Sequence, residues 1–392
     1  MSKETLKKLD QEYIMHTYGR YDVALKSGKG AAAEGFDGEQ YLDMTSGIGV
    51  TSLGYCHDGF NAAVTAQLQT LQHTSNLFYT QPAAELAKTL CQSGGFSRAF
   101  FANSGAEANE CAIKLARKYY FDKTGNAQKS QIATLKNSFH GRTITTLAAT
   151  GQDVFHNYFF PFTEGFFYVE PEDFDALKAI DPATTAAIIL ECIQGEGGVN
   201  ILSQEYVTAV AAFCKQHDIL LIADEVQTGI GRTGKLFAFE HYGIVPDIVT
   251  LAKGLGGGLP IGACLCADAL KDTFSPSTHG TTFGGNPVVC AGANYVLSVI
   301  NTQAFLQEVT QKGEYLAQKL TAIAGVKSVR HMGLMFGIEL ANADAKDIAA
   351  KCAENGLLVL TAKTLLRLLP PLTISYEEID RATEILKSTL CK

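Results

Sequence analysis

Proline is scarce in this chain, with 10 among 392 residues, and no internal repeat or low-complexity linker interrupts it. Together with 46% hydrophobic and 18% charged residues, this excludes a disordered or collagen-like polymer and describes a globular protein. A basic surplus is missing as well: 32 Lys and Arg stand against 40 Asp and Glu, a formal charge of −8. Neutralising nucleic-acid phosphates or an anionic membrane needs the opposite sign, so neither is an expected partner, although a local groove can still attract small anions. No run approaches the roughly 18 apolar residues of a membrane span, and the opening residues carry charge where a leader would be apolar. The ten cysteines include no C-x-x-C pair and no metal-ligand spacing, which predicts reduced thiols, no metal site and a cytoplasmic protein.

What is present is a chain long enough for two domains or one large one with an appendage, at roughly 150 residues per domain. Short apolar pieces at Val23-Ala24-Leu25 and Tyr41-Leu42, separated by Ser27-Gly28-Lys29-Gly30 and Asp37-Gly38, predict a small N-terminal β-meander. From about residue 98 apolar runs alternate with helical-period segments, the pattern of βαβ units. The runs are Ala99–Ala102, Ile132–Leu135, Ala187–Leu190, Ile219–Ile222, Ile248–Leu251 and Ala263–Cys266. Ala108, Cys111, Ala112, Leu115, Ala116 and Tyr119 form one helical stripe, and Val207, Val210, Ala211 and Cys214 another. After Pro287 helical segments dominate. The expected division is an N-terminal segment (1–50) joining the small domain, a large cofactor-binding domain (51–286) and a C-terminal small domain (287–392).

Gly229, Gly231 and Gly234 spell a G-x-G-x-x-G, but several residues separate them from the strand ending near Ala223, and Leu236 stands where a P-loop needs Ser or Thr. A nucleotide-binding oxidoreductase is therefore a weak reading. Charged residues at the carboxyl ends of apolar strands are more informative, because that edge is where ligands bind in open α/β sheets. Glu191, Asp224 and Lys253 are three such residues, and Lys253 is followed by Gly254, Gly256, Gly257 and Gly258, which leave room for a planar ligand. An acid beside a strand-end lysine suits pyridoxal phosphate, with lysine as Schiff-base amine and the acid facing the pyridinium nitrogen. Asn103-Ser104-Gly105-Ala106 follows a strand and opens a helix whose free N–H groups suit a phosphate, although alone it reads as an ordinary serine cap.

Asp224-Glu225-Val226-Gln227-Thr228-Gly229 and Leu251-Ala252-Lys253-Gly254-Leu255-Gly256-Gly257-Gly258 resemble the signature of the class III, ornithine-type pyridoxal-phosphate aminotransferases. The resemblance spans nearly the whole chain and includes Phe139-His140-Gly141-Arg142-Thr143, Gln194-Gly195-Glu196-Gly197-Gly198, Gly231-Arg232-Thr233-Gly234 and Thr281-Thr282-Phe283-Gly284-Gly285-Asn286-Pro287. It implies an α/β protein of fold type I, with a mostly parallel central sheet and a smaller α+β domain, forming a homodimer with shared active sites. By the same resemblance Lys253 carries pyridoxal 5'-phosphate, Asp224 faces its ring nitrogen and Gln227 its phenolic oxygen. Ser104, Gly105 and Ala106 would hold the phosphate, Phe139 would stack on the ring, and Thr282 would reach the phosphate of the neighbouring subunit. Read without the family, Phe139 fits a core aromatic and Thr282 an ordinary loop residue.

For substrates, the resemblance implies that Arg142 pairs with a carboxylate, that Arg367 holds the α-carboxylate of 2-oxoglutarate or glutamate, and that Glu196 covers Arg367 when no carboxylate is bound. Tyr18 would be a substrate-contacting aromatic. On their residues alone, Arg142 fits a surface arginine and Glu196 a solvated loop acid, whereas Arg367 has apolar neighbours on both sides. The implied reaction moves the ω-amino group of N2-acetylornithine to 2-oxoglutarate. Ornithine, succinylornithine or 4-aminobutyrate aminotransferases, and an aminomutase of the same fold, are the alternatives. Two departures from the family pattern, Cys192 and Asp58 where proline is usual, bear on local backbone shape.

Overall fold

The computed structural model describes residues 1–391. At its centre is a seven-stranded sheet made of β4 (Arg98–Ala102), β5 (Gln131–Leu135), β6 (Phe166–Val169), β7 (Thr185–Leu190), β8 (Leu220–Asp224), β9 (Ile248–Leu251) and β10 (Gly262–Cys266), counting from the three strands of the N-terminal meander. Their spatial order is β4-β10-β9-β8-β7-β5-β6, parallel except for β10, which runs antiparallel to both its neighbours. Strands β7 to β10 are buried along their whole length, which is why they read as unbroken apolar runs and not as alternating ones. Alternate residues nevertheless serve different cores. Ile132, Ala187, Ile189, Ile222 and Cys264 pack under helix α1 (Gly105–Thr124), whereas Ala133, Ile188, Leu190, Ala223 and Leu265 join the larger core on the other face.

The apolar runs coincide with six of these strands, and two details go beyond expectation. Strand β6 was not anticipated: Phe166-Phe167-Tyr168-Val169 is an apolar run, but aromatic residues recur from Phe155 onward and nothing set this piece apart; it lies at one outer edge of the sheet, with three of its four side chains partly exposed. On α1 the expected stripe holds, with Tyr119 half-buried against that core, and it extends to Tyr120, which is fully buried with its hydroxyl donating to the Asp218 carbonyl.

The N-terminal meander consists of β1 (Leu25–Lys29), β2 (Ala32–Gly35) and β3 (Gln40–Asp43), all antiparallel. Ser27-Gly28-Lys29, expected as a turn, is strand, and the turn falls at Gly30 with φ +59°. Gly28 occupies a strand interior because a Cβ there would stand 2.8 Å from the Tyr55 ring. Beyond Pro287, helices α2 (Pro287–Ile300) and α3 (Gln303–Thr321) lead into β11 (Val326–Met332), β12 (Met335–Leu340), β13 (Leu357–Leu358), β14 (Leu360–Ala362) and β15 (Leu365–Leu368). Strands β11-β12-β15-β14 form one antiparallel sheet, while β13 pairs in parallel with β3 and so ties the N-terminal meander to the C-terminal region.

The glycine-rich stretch at 229–234 is a series of turns, with Gly231 at φ +83° and Gly234 at φ +88°. Between them Arg232 is buried and donates from Nη1 to the carbonyls of Leu334 (3.0 Å) and Pro370 (2.5 Å). These glycines let the chain turn against the C-terminal region and open no helix toward a nucleotide. Cys192 and Asp58 sit comfortably where the family pattern has proline: Cys192 is buried, its carbonyl accepting from Leu202 N–H, and Asp58 opens the helix Asp58–Thr70 and pairs with Lys29. Among the described residues no single helix is long and apolar enough to cross a membrane.

Candidate active site

All parallel strands of the central sheet present their carboxyl ends at one edge, and a cavity of about 460 Å³ opens there. Five of the six parallel strands each deliver one part of its lining, the edge strand β6 being the exception: Ser104 to Ala106 after β4, Phe139 to Arg142 after β5, Glu191 after β7, Asp224 at the end of β8, and Lys253 after β9.

Ser104 caps α1, its hydroxyl accepting from the N–H of Glu107 at 3.2 Å. The amides of Gly105 and Ala106 lie in the first turn and have no intrahelical partner, so they face the cavity as donors. Glycine is required around this cradle for space. A Cβ on Gly105 would stand 2.6 Å from Val226 Cγ1, and one on Gly262 of β10 would lie 2.1 Å from the Ser104 carbonyl oxygen.

Asp224 is the most fully determined side chain of the site, 3% exposed. Its Oδ2 accepts from Asn109 Nδ2 (2.8 Å) and His140 Nδ1 (2.7 Å), and its Oδ1 from the Val226 N–H (3.0 Å). Asn109 in turn donates to the His140 carbonyl at 2.8 Å and accepts from Thr250 Oγ1 of β9 at 2.7 Å. A carboxylate offers about four lone-pair positions. Three are used within the chain, and one remains for a cation in the cavity.

Lys253 follows β9 with a left-handed φ of +42° and reaches the cavity from a partly buried position. Burial holds its ammonium below the ordinary lysine range; the Arg367 guanidinium acts the same way, against Glu196, Asp224 and Glu191. Glu191 is buried, accepts from the N–H of Phe139 at 2.9 Å and of Gly195 at 3.3 Å, and burial pushes its carboxyl up to about 7.

Arg367 lies on β15, 2% exposed, opposite Gly337 on one side and Leu360 on the other. Its Nη1 donates to Glu196 Oε1 at 2.6 Å, with the Gly195 carbonyl at 3.2 Å and Gln227 Oε1 at 3.3 Å as further acceptors. Gln227 also donates from Nε2 to Glu196 Oε1 at 3.4 Å. Burial is the largest influence on the Glu196 carboxyl and raises it, but the charge and hydrogen bond of Arg367, with the Lys253 charge and the Gln227 hydrogen bond, together outweigh it and hold the group below its usual value, so Glu196 is ionised at neutral pH. Arg142 lies at the cavity mouth, exposed, with its guanidinium carbon 4.1 Å from the centre of the Phe155 ring and 5.4 Å from that of Phe139.

Of the residues expected from sequence, ten therefore converge on one place: Ser104, Gly105, Ala106, Phe139, Arg142, Asp224, Gln227 and Lys253 line the cavity, and Glu196 and Arg367 adjoin it through Gln227. Tyr18 and Thr282 do not line it within one chain. Tyr18 is 76% exposed beside Arg20 in the N-terminal segment, and Thr282 is exposed on the loop that Asn76 anchors through the Thr281 and Gly284 carbonyls. The reading from sequence missed Asn109 and Thr250 altogether and gave no role to His140 or Phe155. A polar residue inside an apolar stripe or strand is the signal that marks Asn109 and Thr250, since burial demands a partner for each.

Residues 13–390 match the family described as aminotransferase class-III. The chain belongs to the class-III aminotransferases. It is 53% identical to an acetylornithine aminotransferase of Haemophilus ducreyi, over 100% of this chain and 99% of that protein, and 46% identical to one of Bacillus subtilis, over 96% and 97%. An ornithine aminotransferase of Toxoplasma gondii, whose structure is described with pyridoxal phosphate at partial occupancy in its active site, superposes with a TM-score of 0.95 at 32% identity, covering 100% of this chain and 94% of that one. An N-acetylornithine aminotransferase of Stenotrophomonas maltophilia superposes with a TM-score of 0.84 at 34% identity, covering 98% of each chain. This class-III aminotransferase is a pyridoxal-phosphate enzyme, and its cavity fits that cofactor: a helix start freed of Cβ atoms for the phosphate, a carboxylate with one open lone pair for the ring nitrogen, and a lysine held below its ordinary basicity.

Proposed function

We propose that the protein transfers the ω-amino group of N2-acetylornithine to 2-oxoglutarate, giving N-acetylglutamate 5-semialdehyde and glutamate, as a step of arginine biosynthesis. The observation that carries this reading is the Arg367–Glu196 pair at 2.6 Å beside Gln227 and Lys253, a site that holds a carboxylate-binding cation already neutralised. Such a site accepts an amine end that brings no carboxylate, and then a dicarboxylate once the acid swings away. The full-length relatives named acetylornithine aminotransferases support the choice of donor.

The cofactor, when bound, supplies a carbonyl carbon that condenses with an amine and a protonated ring that withdraws electrons from the carbon losing a proton. The chain's residues do the rest. The Lys253 amine would hold the cofactor, and its Nζ is the group that would take and return a proton at the substrate carbon; a lowered basicity leaves more of it neutral near pH 7. Asp224, fixed by Asn109, His140 and the Val226 amide, keeps the ring nitrogen protonated. Phe139 would stack on the ring, Gln227 would lie on the side of its phenolic oxygen, and Ser104, Gly105 and Ala106 would hold the phosphate. Arg142 takes the carboxylate at the far end of the donor, and Arg367 the α-carboxylate of 2-oxoglutarate. Thr282, exposed in one chain, serves the phosphate of a second, so the working unit is a homodimer with shared sites. Tyr18 stands toward the substrate in that assembly. A cytoplasmic location belongs to the same proposal, as the setting of the biosynthetic step that the relatives' name describes.

A donor panel with 2-oxoglutarate tests the reading. N2-acetylornithine should give the highest kcat/KM. A higher value for ornithine, the substrate named for the Toxoplasma gondii neighbour, or for succinylornithine or 4-aminobutyrate, would replace it, and turnover without 2-oxoglutarate would indicate an isomerase.

A further inference from the structure

The guanidinium of Arg142 has an unusual setting for an exposed cation. Among the described residues no carboxylate lies within ion-pair distance of it and no hydrogen bond anchors it, although the chain carries more acids than bases. Its close contact is the face of Phe155, 4.1 Å from the guanidinium carbon to the ring centre. Phe155 ends a single helical turn, Asp153–Phe155, and is only partly exposed. The ring is itself held edge-on against Phe139, at 5.8 Å and 73°, and Phe139 lines the cavity.

This geometry separates the two ways a guanidinium interacts. With its carbon 4.1 Å from the ring centre, the cation is held by its charge against the ring, while its five N–H donors lie at the edge of its own plane and none is taken by a protein acceptor among the described residues. A carboxylate partner from the chain would consume that edge; an aromatic partner leaves it whole. We propose that Phe155 is the positioning residue for Arg142: it orients the guanidinium over the cavity mouth with its donor edge free, so that affinity for the carboxylate at the far end of a substrate is set by Phe155 through Arg142. The inference rests on the reading above that Arg142 binds a substrate carboxylate. It extends to 2-oxoglutarate, whose second carboxylate is left over once Arg367 holds the first.

Leucine at 155 keeps an apolar side chain but lacks the ring face, and tyrosine keeps the face. With the purified holoenzyme, Phe155→Leu should raise KM for N2-acetylornithine about five-fold at nearly unchanged kcat, the scale of one partly desolvated cation–π contact. Phe155→Tyr should restore the original value. An ω-amine without a carboxylate, n-butylamine, should react equally well with all three proteins. Arg142→Ala serves as the reference and should raise the N2-acetylornithine KM further than Phe155→Leu. If Arg142→Ala raises that KM and Phe155→Leu leaves it unchanged, the positioning role is refuted while the carboxylate role of Arg142 stands. If Phe155→Leu slows butylamine and N2-acetylornithine alike, Phe155 serves the fold of its loop and the proposal is equally refuted. If Arg142→Ala changes nothing, the reading of Arg142 fails and the inference with it.

Discussion

Glu196→Gln isolates the charge on the acid that faces Arg367. Glutamine keeps the shape and an acceptor oxygen, so the arginine retains neutral partners at Gly195 and Gln227 and loses only its counter-ion. A charge-assisted hydrogen bond contributes about 1.5–3 kcal/mol. The Nη1 to Oε1 distance of 2.6 Å favours the strong end of that range, but Glu196 keeps 28% of its side-chain exposure and water screens part of the gain. A substrate α-carboxylate must displace Glu196 to reach Arg367, so removing the competitor should favour glutamate and 2-oxoglutarate by about 10- to 30-fold in kcat/KM. N2-acetylornithine gains nothing, because its reacting end carries no carboxylate. Single-turnover half-reactions, followed through the cofactor's absorbance change, should show the ratio of N2-acetylornithine to glutamate reactivity falling by that factor. The pH dependence has a definite sign. Because Arg367 holds the Glu196 carboxyl below its ordinary 4.5, the pair persists above that value and is lost only as pH falls through the lowered one. The wild-type ratio should therefore not acquire a step from this pair between pH 6 and 9. A Glu196→Gln enzyme with the wild-type ratio would refute the idea that this carboxylate controls access to Arg367.

Asp224→Asn should retain the cofactor yet lower turnover at least 100-fold, since a neutral amide no longer favours the protonated ring nitrogen; turnover within a few-fold of wild type would remove Asp224 from that role. Thr282→Ala mixed with Lys253→Ala should yield hybrid dimers in which one site carries both defects and the other neither, so activity should return on mixing; no recovery despite hybrid formation would contradict a phosphate site shared between subunits. Gly262→Ala places a Cβ 2.1 Å from the Ser104 carbonyl oxygen and should weaken cofactor retention and lower Tm, measured by cofactor titration and calorimetry; unchanged retention would mean that the helix start tolerates displacement.

How much of this was legible in the sequence follows from what each residue's neighbours are. The buried strands announced themselves because an α/β sheet covered on both faces needs uninterrupted apolar runs, and a strand-end acid or lysine stands out against such a run. Strand β6 did not, although its four residues are apolar and the other edge strand, β4, was read from its own run: β6 closes the stretch 155–169, in which aromatic residues recur, so its limits did not stand out. Gly28 misled for the opposite reason: its glycine answers to the Tyr55 ring, 27 positions away in the chain, and not to a local turn. Contacts of that kind leave no periodicity.

The same distinction divides the site itself. Lys253, Asp224 and the Ser104–Ala106 helix start are bound to local features, a strand end or a cap, and local features have sequence patterns. Asn109, Thr250 and His140 hold Asp224 in place across separations of 115, 26 and 84 positions, measured from the aspartate, and nothing local requires them. What does require them is electrostatic. A carboxyl group 3% exposed has lost its water and needs donors in its place, and three donors at 2.7 to 3.0 Å supply them. Asn109 then needs a donor for its own oxygen, which Thr250 supplies from the adjacent strand. Along this line each buried polar residue forces the next, from Asp224 through Asn109 to Thr250, whereas the other line ends at His140, whose buried Nε2 has no partner among the described residues. A polar letter in an otherwise apolar stripe is the trace that this chain of obligations leaves in the sequence.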